Sequence, residues 1–111
     1  LLQRLRMTSL VVPAIWSFEI ANVLVVSRRR GRLDEDEAAQ CLRFLLSLPI
    51  DVEEAGDLAA LAGLVPLASR HGLSAYDAAY LDVSVRRGLP LATLDARLQA
   101  AARGAGVVLV T

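Results

Sequence analysis

Three carboxylates, those of Glu19, Asp77 and Asp95, have the type and spacing to support metal-assisted chemistry. Carboxylates that gather in one crevice repel one another unless a cation neutralises them, and oxygen ligands favour a hard cation such as Mg²⁺ or Mn²⁺. Such a cation activates a water molecule and neutralises the charge that develops on a phosphodiester during attack. The three acids therefore predict metal-dependent hydrolysis, with no side-chain nucleophile.

Each acid also has a simple structural interpretation. Glu19 could pair with an arginine or lie on an exposed helix face, although its apolar neighbours and Asn22 one turn later favour a shared polar site. Asp77 could complete a capping box with Ser74, and Asp95 could cap the helix that follows it. Taken singly, none of the three acids indicates a function.

Apolar periodicity and turn residues predict an alternation of strands and helices. In chain order we expect a strand at 9–12, a helix to about Ser27, a helix from Asp34 that ends before Pro49, a strand at 50–53, a helix at 57–71, a helix at 74–87, a strand at 90–93, a helix at 95–103 and a strand at 107–110. In a right-handed β-α-β arrangement, helices begin at the edge where strands end. All three acids could therefore collect at one edge.

Continuous apolar strands between helices predict an α/β fold with a mainly parallel central sheet and helices on both faces, in one domain over residues 1–111. The first long helix is apolar nearly all the way round, so we expect it to be buried. Gly31 should end that helix and Gly72 a later one. Pro66 should kink or split the 57–71 helix.

Composition excludes several classes of protein. Twelve basic and twelve acidic residues cancel, and all twelve basic residues are Arg. One cysteine and one histidine cannot build a closed zinc site or an internal disulfide, which fits a reducing cytoplasm. Polar residues interrupt the longest apolar run, so we expect no membrane span. The cluster Arg28, Arg29, Arg30 and Arg32 could contact RNA phosphates or form a solvated helix end.

Three segments resemble the PIN domain of VapC toxins, in order and in separation: VPAIWSFEIANVL at 12–24, LSAYDAAYL at 73–81 and LATLDARL at 91–98. The resemblance implies a three-layer PIN-like fold and an endoribonuclease that requires Mg²⁺ or Mn²⁺. It further implies an RNA substrate, a VapB-like antitoxin as cognate partner, and a homodimer.

By this resemblance Glu19, Asp77 and Asp95 are three of four acidic site residues, with Thr93 and Asn22 supporting the attacking water. The family pattern also begins with a strand that ends in Asp, and nothing before Ser9 matches that strand. We therefore expect the first strand, part of the first helix and the fourth acid to precede residue 1, and residues 1–111 alone to be impaired.

Two other functions remain open at this point. A non-catalytic PIN-like module could dimerise or bind partners through its apolar helices. A haloacid-dehalogenase-like phosphohydrolase could use Asp95 as a nucleophile at a strand end, but the Asp-x-Asp start of that family is missing. A P-loop, a Gly-x-Ser-x-Gly elbow and a Gly-x-Gly-x-x-Gly turn are also missing.

Overall fold

The computed structural model describes residues 10–110, and the chain divides into two compact units, Leu1–Glu53 and Glu54–Thr111. The described elements are β1 (Leu10–Val12), α1 (Ile15–Arg29), α2 (Glu35–Leu46), β2 (Ile50–Val52), a 3₁₀ turn (Leu58–Ala60), α3 (Leu61–His71), α4 (Ala75–Arg87) and α5 (Ala96–Gly104). The predicted α/β class is confirmed, and the predicted single domain over 1–111 stays a prediction. The expected start of the first strand at Ser9 lies outside the described residues.

The first unit is a β-α-α-β arrangement. Its two strands pair in parallel, with Leu10 opposite Ile50 and Val12 opposite Val52. Parallel strands need a long crossover connection, which α1 and α2 supply here. The predicted parallel pairing is confirmed in this unit.

The expectation that α1 is buried is wrong. No residue of α1 is fully buried, and Phe18 is 73% exposed. A helix that is apolar on every side needs neighbours on every side, whereas residues 10–53 of this unit offer only one further helix and two three-residue strands. Apolar side chains of α1 consequently face solvent.

The second unit is built around one buried cluster. Leu81 of α4 and Leu98 of α5 belong to it. Its remaining buried members are Leu91, Ala101 and Ala102. The small alanines let α5 pack closely, and partly buried side chains, among them Leu67 of α3, extend the cluster. This core holds the helix ends that carry two of the predicted site residues.

The strands predicted at 90–93 and 107–110 are present only as one parallel bridge between Leu91 and Leu109. Leu91 donates its N–H to the oxygen of Val108 at 2.9 Å and accepts from the N–H of Val110 at 2.9 Å. The pairing has the predicted direction. It is too short to form regular strands, because only one residue on each side completes the ladder.

Of the two effects expected of Pro66, the split is wrong and the kink stays a prediction. α3 runs from Leu61 to His71 and passes through Pro66. The change of helix type lies earlier, where the 3₁₀ turn Leu58–Ala60 gives way to α3. Gly72 ends α3 with φ of 63°, as predicted, because a residue without Cβ adopts this left-handed conformation at low cost. None of the helices between residues 10 and 110 has the length and apolar character needed to cross a membrane.

The buried cluster predicts a large difference between two Leu→Ala substitutions. Leu81 is 0% exposed, whereas Leu94 is 99% exposed. We expect Leu81→Ala to lower the free energy of unfolding by about 2 to 5 kcal/mol, because it leaves a cavity. Leu94→Ala should change it by less than about 0.5 kcal/mol. Urea unfolding of both variants measures this, and equal effects would contradict the assigned core.

Candidate functional site

Asp77 lies in the first turn of α4. Ser74, in an extended conformation, is the N-cap of that helix, and its Oγ accepts a hydrogen bond from the backbone N–H of Asp77 at 3.1 Å. The Asp77 side chain is partly buried, and one turn further on Leu81 is fully buried in the core. The helix start therefore holds the backbone of Asp77 in place against a packed element.

A comparison with α2 shows that capping does not account for the Asp77 carboxylate. At the start of α2, Glu37 donates its N–H to Asp34 Oδ1 at 2.8 Å, and the Glu37 carboxylate accepts from the Asp34 N–H at 3.1 Å. This reciprocal pair is a complete capping box. Between residues 10 and 110 the Asp77 carboxylate returns no such bond to Ser74. Only the backbone half of the predicted box forms.

Asp95 does cap its helix. Its Oδ1 accepts from the N–H of Leu98 at 2.9 Å, and its own N–H donates to Thr93 Oγ1 at 3.1 Å. The capping interpretation of Asp95 is therefore confirmed. It does not exclude a second role, because a carboxylate has two oxygens and the side chain is exposed.

Gln99 is a supporting residue that the sequence did not reveal. Its Nε2 donates to the backbone oxygen of Thr93 at 2.9 Å, so the first turn of α5 fixes the loop before it. Gln99 stands four residues after Asp95, on the same helix face. That spacing was the available signal, but a polar residue at such a position is usually only solvated.

Asp77 and Asp95 have matching positions in the second unit. Each stands one turn before a core leucine, Leu81 for Asp77 and Leu98 for Asp95, and both leucines belong to the same buried cluster. Each also lies at a helix N-terminus, where unpaired backbone N–H groups create a partial positive charge that favours carboxylates. The packing of α4 and α5 thus positions two acids at corresponding helix ends.

Glu19 and Asn22 lie on α1, in the first unit. Both side chains are exposed, and Glu19 interacts with another residue. The exposure of both residues fits the alternative in which this face of α1 lies in solvent. The participation of Glu19 and Asn22 in the acidic site stays a prediction.

The carboxylates of the second unit suit a hard cation that needs only one or two protein ligands. In the described part of the chain, no three side chains of His, Cys, Asp or Glu group together as metal ligands. Mg²⁺ is nevertheless commonly held by one or two carboxylates, with water and substrate phosphates completing its shell. Asp77 and Asp95 supply carboxylate oxygens of this kind, and Mn²⁺ accepts the same ligands.

Asp82 is separate from this set. It accepts from Arg86 Nε at 2.7 Å in an ion pair one turn apart on α4. A residue five positions after Asp77 is turned by about 140° from it around the helix. The Asp82 side chain is 28% exposed. It belongs to the helix surface.

Comparisons with known proteins confirm the resemblance to the PIN domain. The model of the PIN domain family matches residues 1–104. Ribonuclease VapC3 of Pyrobaculum aerophilum is 37% identical over 82 residues, which are 74% of this chain and 63% of that protein. A crystal structure of a Pyrobaculum aerophilum protein superposes with a TM-score of 0.69 at 31% identity, covering 82% of this chain and 64% of the other. The chain therefore spans slightly less than two thirds of each relative.

The cap geometry predicts that two substitutions of Asp95 differ. Asp95→Ala removes the acceptor for the Leu98 N–H and should lower the free energy of unfolding by about 1 kcal/mol. Asp95→Asn keeps an oxygen at that position and should stay within a few tenths of wild type, since Asn is an equally good N-cap. Urea unfolding of the two variants tests this. Equal losses would show that charge, rather than the cap bond, stabilises α5.

Proposed function

The chain belongs to the PIN domain family, and from this premise we propose that it is a Mg²⁺- or Mn²⁺-dependent endoribonuclease that hydrolyses phosphodiester bonds of RNA. The observation that carries the proposal is the Asp77 carboxylate, which is partly buried at a helix N-terminus and is not used by the cap. A partly buried carboxylate with no capping bond in the described residues is a candidate ligand, because partly buried polar groups usually have a partner. The similarity to a protein named Ribonuclease VapC3 supports the assignment of RNA as substrate.

Asp77 and Asp95 would hold the cation. When bound, the cation would activate the attacking water and offset the negative charge that develops on the phosphodiester. Thr93 would orient the water through its hydroxyl hydrogen, because its oxygen already accepts from the Asp95 N–H. Glu19 and Asn22, on α1, are further candidate site residues on the strength of the sequence resemblance alone.

We also propose a toxin role, with a VapB-like antitoxin as partner, a homodimeric state and a cytoplasmic location. Exposed apolar side chains of the first unit support a protein partner, since large exposed apolar residues often mark interaction surfaces. Phe18 is 73% exposed, Leu46 83% and Phe44 50%. An apolar groove lined by Trp16 and Leu45 lies in the same unit.

The same exposed apolar residues favour a second candidate, a non-catalytic PIN-like module for dimerisation or partner binding. This candidate needs no metal and assigns the acids to caps and surface ion pairs. The two candidates differ in one measurable respect, because only the nuclease makes RNA cleavage depend on Asp77.

For the nuclease, we predict that Asp77→Asn in the complete protein lowers RNA cleavage by about two to three orders of magnitude, as removal of one preorganised electrostatic group commonly does. The substitution keeps the size of the side chain and removes its charge. The measurement is the initial rate of cleavage of a labelled RNA in Mg²⁺ and, separately, in Mn²⁺.

The matched control is Asp82→Asn, which removes a carboxylate from the same helix. Asp82 pairs with Arg86 on the surface, and exposed pairs of this kind contribute little. Its cleavage rate should remain within about twofold of wild type. Equal rates for the Asp77 variant and wild type would reject the nuclease and favour the binding module.

A further inference from the structure

Four arginines stand at the carboxyl end of α1 and are all exposed. We call them the α1 arginine cluster: Arg28, Arg29, Arg30 and Arg32. Within residues 10–110, none of their guanidinium groups forms an ion pair or a side-chain hydrogen bond. The cluster carries four positive charges on a chain whose net charge is zero.

The end of α1 does not need these guanidinium groups. Gly31 has φ of 69°, its N–H donates to the oxygen of Arg28 at 3.1 Å, and the N–H of Arg32 donates to the oxygen of Ser27 at 2.9 Å. This pair of bonds is the Schellman arrangement, in which the backbone itself satisfies the last carbonyls of a helix. The side chains of the cluster are therefore not required as caps.

Packing does not explain the cluster either. In a Schellman end, the two residues joined by the bond that spans more of the sequence often make an apolar contact. Here these residues are Ser27 and Arg32, and neither is apolar. An ideal Cβ added to Gly31 would meet no atom within 4 Å, so this turn is open to its surroundings. Beyond the general preference of a helix C-terminus for cations, the positive charges have no capping or packing role within the described chain.

The nearest acids in sequence are largely committed elsewhere. Asp34 and Glu37 form the capping box of α2. Glu35 and Asp36 occupy the first turn of α2, where the helix dipole favours negative charge. Neither pairs with the cluster in the described residues. The cluster thus keeps its charge available to a ligand.

We propose that the α1 arginine cluster binds the phosphodiester backbone of single-stranded RNA, an inference that rests on the proposed ribonuclease function and adds a substrate-holding surface to it. Guanidinium groups bind phosphate oxygens through paired hydrogen bonds. The five residues 28–32 contain no apolar side chain, whereas the centre of a protein interface combines arginine with aromatic and other apolar side chains. A polyanion fits this surface better than a folded protein does.

The experiment removes three cluster charges and compares them with three isolated ones. The test variant carries R28Q, R30Q and R32Q, and the control variant carries R43Q, R70Q and R103Q, all at exposed positions. A third variant, with R28K, R30K and R32K, keeps the charge without the planar fork. Binding of the complete protein to a fluorescent single-stranded RNA is measured by anisotropy in EDTA, which prevents cleavage, across a range of salt concentrations.

The test variant should bind RNA about tenfold or more weakly at low salt. The slope of log K against log salt should fall by about 2, because three phosphate contacts each contribute about 0.7 on a single strand. The lysine variant should keep the wild-type slope, and the control variant should lose much less of it. Thermal unfolding should change only slightly at moderate salt, since Gln and Arg have similar helix propensity and salt screens the interaction of the cations with the helix dipole.

Two results would overturn the inference. One is a test variant that binds RNA with the affinity and salt slope of the control variant. The other is binding of polyglutamate through the cluster as tightly as RNA, which would assign the surface to an acidic protein. Cluster-dependent RNA binding without any cleavage in Mg²⁺ or Mn²⁺ would leave the inference intact and reject the proposed nuclease.

Discussion

Close packing between α4 and α5 determines where the acidic side chains of the second unit lie. Leu81 on α4 and Ala102 on α5 are both 0% exposed, and Leu98 is 5% exposed in the same cluster. Because each helix is anchored one turn beyond its acid, the backbone around Asp77 and Asp95 has little freedom to move. A site assembled from two helix starts needs this rigidity, since misplaced ligands hold a cation poorly.

The two acids reach their positions by different local means. Asp95 is the N-cap of α5, and its bond from the Leu98 N–H fixes the orientation of its carboxylate. In α4 the N-cap is Ser74, and the Asp77 carboxylate takes no part in the cap bond. Neither acid destabilises its helix, because Asp95 caps α5 and Asp77 lies at a helix end where negative charge is favoured.

The sequence predicted the helices well because their ends carry local chemical signals. Asp34 begins α2 with a full capping box, and Gly72 ends α3 in the left-handed conformation. The strands predicted at 90–93 and 107–110 are longer than the single bridge that forms. An apolar run predicts a strand, but it does not indicate how many of its residues pair with a neighbouring strand. The burial of α1 was wrong for a related reason, since its apolar residues do not reveal which of their faces a neighbour covers. Phe18 shows this most clearly.

The acidic site was predictable only in part. Spacing and the resemblance singled out Asp77 and Asp95, and their parallel positions on one core support that choice. Glu19 is harder to assess, because its apolar neighbours and Asn22 favour a shared polar site whereas both polar side chains are exposed. The bond from Gln99 to Thr93 could not be predicted from the sequence, because it depends on the path of the loop before α5.

The central claim is that Asp77 and Asp95 hold one divalent cation together. Paramagnetic broadening of amide NMR signals by substoichiometric Mn²⁺ in the complete protein tests it most directly, because broadening depends on distance from the ion. The account predicts that signals around Asp77 and around Asp95 broaden together at the same low Mn²⁺ concentration, and that Asp77→Asn abolishes both effects. Broadening confined to the acidic start of α2, or to one of the two acids alone, would contradict it.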